Sequence, residues 1–233
     1  VHYFTPKVTL GENAPTQQSV EDKFGGLPWG MPPHRWPDCE ECGNPLMFLA
    51  QFSAHPQRLL LGKEGRVLYL FSCQLGCNNT EWDQGTNAVL ILEKEELAQS
   101  ATRVETEILS EARLVEWITH QEQLPSEEMW NCFNAQEWDQ HEWTLSKQIS
   151  GRTKLGGAPL WPHRSFPLPE GYYFAGQYVE GPDDFVEGSE VMDVEDKNGF
   201  RSYMFDGNPG GIGFLFVKPD PLEPKGRFFV NYY

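Results

Sequence analysis

Lys23-Phe24-Gly25-Gly26-Leu27-Pro28-Trp29 and Lys154-Leu155-Gly156-Gly157-Ala158-Pro159-Leu160-Trp161 are two versions of one phrase, set far apart in a chain of 233 residues. Each is followed by a Pro-His-Arg step, at Pro33-His34-Arg35-Trp36-Pro37 and at Pro162-His163-Arg164-Ser165-Phe166-Pro167. Each then reaches an apolar run ending in glutamine and an aromatic: Leu46-Met47-Phe48-Leu49-Ala50-Gln51-Phe52 and Tyr172-Tyr173-Phe174-Ala175-Gly176-Gln177-Tyr178. Further out, Val67-Leu68-Tyr69-Leu70-Phe71 matches Ile212-Gly213-Phe214-Leu215-Phe216, and Ala88-Val89-Leu90-Ile91-Leu92 matches Phe228-Phe229-Val230-Asn231-Tyr232. Matched segments in the same order are improbable by chance, and a duplication is the simplest account.

The expected fold class is therefore α+β, mostly β: two tandem diverged repeats with short strands and few short helices. The first repeat spans 1–100, a connecting region 101–150 and the second repeat 151–233, with the repeats packed as one domain. Gly25 is expected to superpose on Gly156, and Gln51 on Gln177. At least one glycine of each Gly-Gly pair is expected at positive φ, or too close to a neighbour for a Cβ. The 18 prolines and 22 glycines lie between short apolar runs, which reads as many turns and short strands. In the connecting region, Glu93 to Ser100 reads as a short helix. Arg113 to Gln121 reads as a strand from the alternation of Val115, Trp117 and Thr119, with a helix as the alternative. Ser126 is placed as the N-cap of another short helix.

Four of the five cysteines form two close pairs, Cys39-Glu40-Glu41-Cys42 and Cys73-Gln74-Leu75-Gly76-Cys77. Each spacing lets one tight turn aim two thiolates at a common point, and two such turns make a tetrahedral four-sulfur site. Gly43 and Gly76 supply the turn backbone. The competing readings are two disulfides, four free thiols or a redox motif. No βαβ pattern surrounds Cys39, and nothing marks the chain as secreted. The reading is one structural zinc ion on Cys39, Cys42, Cys73 and Cys77, with no position left open for water. Cys132 is unpaired and apolar in context, which reads as core.

The formal net charge is −16, from 34 acids against 18 bases. Such a field repels a phosphate backbone, so nucleic acid is not the expected partner. Solubility explains the charge in one reading, and steering of a basic protein in the other. No apolar run approaches the ~20 residues that span a bilayer. No basic segment followed by an apolar stretch opens the chain, so a signal peptide is expected to be absent or already removed, and the location cytoplasmic.

Lys-Phe-Gly-Gly-Leu-Pro, the Cys-x-x-Cys knuckle, Pro-Leu-x-Phe-Leu-Ala-Gln and Leu-Tyr-Leu-Phe-x-Cys together resemble the YwqG-like bacterial proteins of unknown function, in their cysteine-bearing subset. The first half is also similar to the amino-terminal part of eukaryotic programmed cell death protein 2. The YwqG resemblance covers nearly the whole chain, the second Lys-Leu-Gly-Gly-Ala-Pro included. It implies a duplicated β-rich fold and a protein-binding role. The eukaryotic relatives act as chaperones for a ribosomal protein, and bacterial relatives are loosely linked to toxin and immunity gene systems. It brings no catalytic residues.

Nor does the chain contain Gly-x-Ser-x-Gly, His-Glu-x-x-His or a Walker lysine. Gly207 to Gly213 is glycine-rich but lacks the lysine of a phosphate loop, and reads as a turn into a strand. His34 and His163 occupy equivalent places, either as a ligand pair or as turn packing beside Trp36 and Phe166. Gln51 and Gln177 end apolar strands. Each reads as a structural bond to the Gly-Gly turn or as an amide clamp on a bound peptide. The stretch from Glu180 to Asp196 is densely acidic, and Asp183, Asp184 and Glu187 are its candidate partner-binding residues. The expected function is a non-enzymatic, zinc-containing protein-binding module, chaperone-like or a toxin-immunity protein, that binds a basic protein or peptide. An enzyme with its site in a cleft between the repeats is the alternative.

Overall fold

The computed structural model describes residues 1–80, 85–102, 108–122, 149–162, 166–179, 185, 187–189, 194–195, 201–202 and 211–232. These hold twelve strands: β1 (His2–Leu10), β2 (Lys23–Phe24), β3 (Met47–Ser53), β4 (Val67–Ser72), β5 (Asn87–Leu92), β6 (Ala112–Gln121), β7 (Lys154–Gly156), β8 (Tyr173–Val179), β9 (Val194–Glu195), β10 (Arg201–Ser202), β11 (Gly211–Lys218) and β12 (Lys225–Tyr232). Ten form one antiparallel sheet in the order β12-β11-β8-β7-β1-β6-β2-β3-β4-β5, and β9 pairs with β10 alone. The sheet curls into a nearly closed barrel, so that its end strands β5 and β12 come together. No helix among the described residues is long and apolar enough to cross a membrane.

The apolar runs form strands because they have apolar layers on both sides. In β4, Leu68 and Leu70 enter a cluster inside the curled sheet, while Val67, Tyr69 and Phe71 enter a second cluster outside it. In β11, Leu215 and Val217 join the same inner cluster, and Ile212, Phe214 and Phe216 join a third, also outside. Side chains alternate along a strand, so a run that is apolar at every position needs cover on both faces. The inner cluster takes residues from both halves of the chain, from Phe24 and Phe52 to Tyr178 and Phe228.

The two Lys-x-Gly-Gly phrases occupy matching registers. Lys23 and Phe24 pair with Gln51 and Ala50, and Lys154 and Leu155 pair with Gln177 and Gly176. All four glycines of the pairs have positive φ, at 58, 68, 73 and 73°. The second glycine in each also makes room for a carboxylate. A Cβ on Gly26 would meet Glu111 Oε2, and one on Gly157 would lie 2.8 Å from Glu122 Oε2. Those carboxylates come from either end of β6, and they hold the lysines of the phrases. Lys23 Nζ donates to Glu111 Oε2 at 3.0 Å, and Lys154 Nζ to Glu122 Oε1 at 2.5 Å.

Two expectations change. The helical share is smaller than expected, because the described residues hold only three 3-10 turns. The run from Glu93 to Ser100 contains one of them, Lys94–Glu96, closed by a reciprocal cap between Glu93 and Glu96. Beyond it the chain is drawn out to pair with the segment after the first Gly-Gly turn: Ala98 N–H donates to the Gly30 carbonyl, and Gly30 N–H to that of Ser100. Residues 101–150 are also more than a connection, since β6 lies mid-sheet between β1 and β2. β1 is a strand despite Pro6. β7 borders it only at Tyr3 and Phe4, so Pro6 stands where one side has no ladder partner and a missing N–H is tolerated. The helix placed at Ser126 and the core cysteine Cys132 lie outside the described residues.

Candidate metal centre

Cys39 and Cys42 lie in a turn between the Pro33–Arg35 3-10 turn and β3. Gly43, at φ 71°, donates its N–H to the Cys39 carbonyl, and Cys39 N–H reaches the Asn44 carbonyl, each at 2.8 Å. Cys73 directly follows β4, and its N–H donates to the Thr86 carbonyl at 2.8 Å. The turn before Cys77 passes through Gly76 at φ 78°. The two turns are tied to each other: Glu40 N–H donates to the Gly85 carbonyl at 3.0 Å, and Asn78 N–H to Glu41 Oε2 at 3.2 Å.

The four sulfurs lie within 4.8 Å of one another, with Cys42 and Cys73 Sγ atoms 3.9 Å apart. A tetrahedron with metal–sulfur bonds of about 2.3 Å has edges of about 3.8 Å. A disulfide needs about 2.05 Å, and all four cysteines are free. The donor set thus fits a thiolate-bound metal, and its four sulfurs fill a tetrahedron without a place for water or substrate. Cys39 and Cys73 are buried against Leu46, Phe48 and Phe71, whereas Cys42 is exposed.

The thiols do not ionise alike. Asn44, through its side chain first and its backbone second, holds Cys42 down to about 6. Burial pushes Cys73 and Cys77 up. Four thiolates in contact need a cation to compensate them, and protons compete with that cation for sulfur. A thiol with a depressed pKa stabilises the fold while ionised and loses that contribution as pH falls through its folded value. Metal retention is therefore expected at neutral pH, with release on acidification as protons displace the metal from sulfur. A chromogenic chelator reads it directly, and release indifferent to pH would contradict thiolate ligation.

The second half has no cysteines at the matching place and closes with rings instead. Trp161 lies 4.4 Å from Phe214, and Phe166 4.7 Å from Phe229. One outer cluster gathers around sulfur, and the other is packed from aromatic side chains.

The remaining candidates are placed as follows. Gln51 and Gln177 are fully buried, with their amides bonded within the chain. Gln51 Oε1 accepts Trp29 N–H and its Nε2 donates to the Glu21 carbonyl, each at 2.8 Å. Gln177 Oε1 accepts Leu160 N–H at 2.9 Å, and its Nε2 donates to the Ser150 and Arg152 carbonyls. These bonds clamp the chain on both sides of each Gly-Gly turn, in the manner of the structural reading. They also leave neither amide open to an incoming peptide. His34 is exposed in its 3-10 turn, and Glu187 is exposed. His163, Asp183 and Asp184 lie outside the described residues.

The sequence reading passed over Asp22. Its Oδ1 accepts Ser53 N–H at 2.7 Å, and its Oδ2 accepts from Arg58 Nη2 at 3.0 Å and Trp117 Nε1 at 2.9 Å. Thr153 holds the matching place in the other half, where its hydroxyl accepts Val179 N–H at 3.0 Å. The buried lysines were also passed over, and their identical place in both phrases was the available signal. The chain matches no family model and no curated protein.

Proposed function

We propose that this chain is a non-enzymatic protein-binding module, pinned in its first half by structural zinc, whose partner is a basic protein or peptide. The observation that carries this reading is the net charge of −16, from 34 acids against 18 bases. Among the described residues, the buried bases Lys23, Arg66, Arg113 and Lys154 are each paired with an acid of the same chain, Glu111, Glu93, Glu21 and Glu122. The surplus charge is therefore acidic, and such a field steers basic partners and repels nucleic acid. Zinc is the metal that best suits four thiolates at tetrahedral spacing, and a saturated site serves structure rather than catalysis.

A duplication accounts for the paired registers, and each copy then has five strands: β1 to β5, and β6, β7, β8, β11 and β12. On this reading the second copy starts at β6, and the first strand of each copy pairs with the second strand of the other. β1 joins β7, and β6 joins β2. The resemblance to the YwqG-like proteins, with a chaperone-like or immunity role, belongs to the same proposal.

The test is copurification with the full chain as bait, followed by association kinetics at two salt concentrations. The expected partner is stoichiometric and basic. Its on-rate falls as salt rises, because exposed charges are screened beyond about 8 Å at physiological ionic strength. Amides in place of Asp183, Asp184 and Glu187 are expected to slow association more than they hasten dissociation. An acidic or uncharged partner, bound equally at all salt concentrations, would leave the charge as a matter of solubility. Turnover of a small molecule would overturn the non-enzymatic reading.

A further inference from the structure

β5 and β12 close the barrel without a ladder between them, and the seam is held at separate points. In the middle, the Val89 side chain occupies the space beside Gly226, where a Cβ would lie 2.1 Å from Val89 Cγ1. At one end stands the buried guanidinium of Arg66. It bonds the Leu61 carbonyl and Glu93 on its own side, and the Asp220 and Pro221 carbonyls on the other. At the opposite end stands Asn79. Its carbonyl accepts Val230 N–H and Asn87 Nδ2, each at 2.9 Å, and its Oδ1 accepts the Tyr232 hydroxyl at 3.1 Å.

The two ends differ in what supports them. Arg66 leads directly into β4. Asn79 lies outside any strand, two residues beyond Cys77. The neighbouring Asn78 carbonyl accepts the Thr86 hydroxyl at 2.6 Å, and Thr86 in turn receives Cys73 N–H. Asn79 is thus reached from the four-cysteine centre through a short run of turn backbone, and it is nearly buried where it meets β12.

We propose that the metal centre is the latch of this seam. Bound metal fixes Cys77, and with it Asn79, onto Val230 and Tyr232. Loss of metal releases this end of the seam while the Arg66 end stays shut. The proposal rests on the metal reading above, and the experiment separates the two. Metal content of the purified chain is measured first, by plasma emission. Amide hydrogen exchange is then followed in the metal-bound chain and after chelation with EDTA. The reporters are Val230, whose N–H meets Asn79, and Ala54, whose N–H meets the Arg66 carbonyl at 2.9 Å.

Chelation is expected to speed exchange at Val230 about tenfold more than at Ala54. Tyr232→Phe, which keeps all four cysteines, is expected to retain metal and to speed Val230 by a smaller factor. Exchange at Val230 that is unchanged by chelation overturns the latch. So does equal acceleration at both amides, which makes the metal a support of the whole fold. A chain that binds no metal ends both readings, and the metal assay alone reveals that outcome.

Discussion

Glu122→Gln is expected to lower the free energy of unfolding by about 3–5 kcal/mol, as loss of one partner from a buried ion pair does. Lys154 and Glu122 have side-chain exposures of 0% and 1%, so neither charge is hydrated. Glu122 Oε1 takes the ammonium at 2.5 Å and Oε2 takes Ala158 N–H at 2.7 Å, while the Tyr3 ring lies 5.0 Å from Nζ. Glutamine fills the same volume and still accepts a hydrogen bond, but it leaves a buried cation without its counter-charge. The corresponding change at Glu111 should cost less. That carboxylate is 27% exposed, and Lys23 is also held by Gln17 Oε1 at 2.9 Å. Removing both charges, as Lys154→Met with Glu122→Leu, should recover part of the loss. About 1–3 kcal/mol should remain, because Ala158 N–H loses its acceptor. Urea denaturation of the three variants measures this. A loss under about 1 kcal/mol for Glu122→Gln would mean that water reaches the pair.

Cys39→Ser should cost about 4 kcal/mol or more, because metal binding free energy is also folding free energy. Cys39 is 1% exposed and packs with Met31, Leu46, Phe48 and Phe71. Serine there loses a ligand and puts a hydroxyl into an apolar layer. The metal content of the wild-type chain, purified without added metal, should be one zinc per chain, and the variant should fall well below it. Thermal unfolding of both, with and without chelator, makes the comparison. Chelator should destabilise the wild type and leave the variant nearly unaffected. A metal-free wild type of equal stability would remove the centre from the account of the fold.

Much of this architecture was legible in the residues. Strands β3, β4, β5, β8, β11 and β12 fall on the matched apolar runs, because a run that is apolar at every position needs two layers of cover. The cysteine spacing brought the four sulfurs together, since a two- or three-residue turn limits where its thiols point. Three features were hidden, each for a physical reason. Pro6 disguises β1, as the ladder beside it is not visible in the sequence. Lys23 and Lys154 carry no local sign of burial, because their counter-charges flank β6, distant from the Lys23 phrase and on a separate strand from the Lys154 one. Gln51 and Gln177 were correctly marked as needing partners, but the partners, at Trp29 and Leu160, depend on how the chain leaves the Gly-Gly turn. The seam was not foreseen at all, since nothing in β5 or β12 taken singly requires the two to meet.

The pairing of β1 governs the order of events during synthesis. This strand lies between β6 and β7, whose residues are made long after its own. At the usual ~5–20 residues per second, β1 waits roughly 5–20 s for β6, and longer for β7. The hairpins of β3, β4 and β5 have local partners and need not wait. A nascent chain therefore carries an early half that already holds all four clustered cysteines, and an unpaired strand β1, and the barrel closes only when β12 emerges. Pairings this distant in sequence fold slowly. Until then β1 is an open edge, available to any other extended chain.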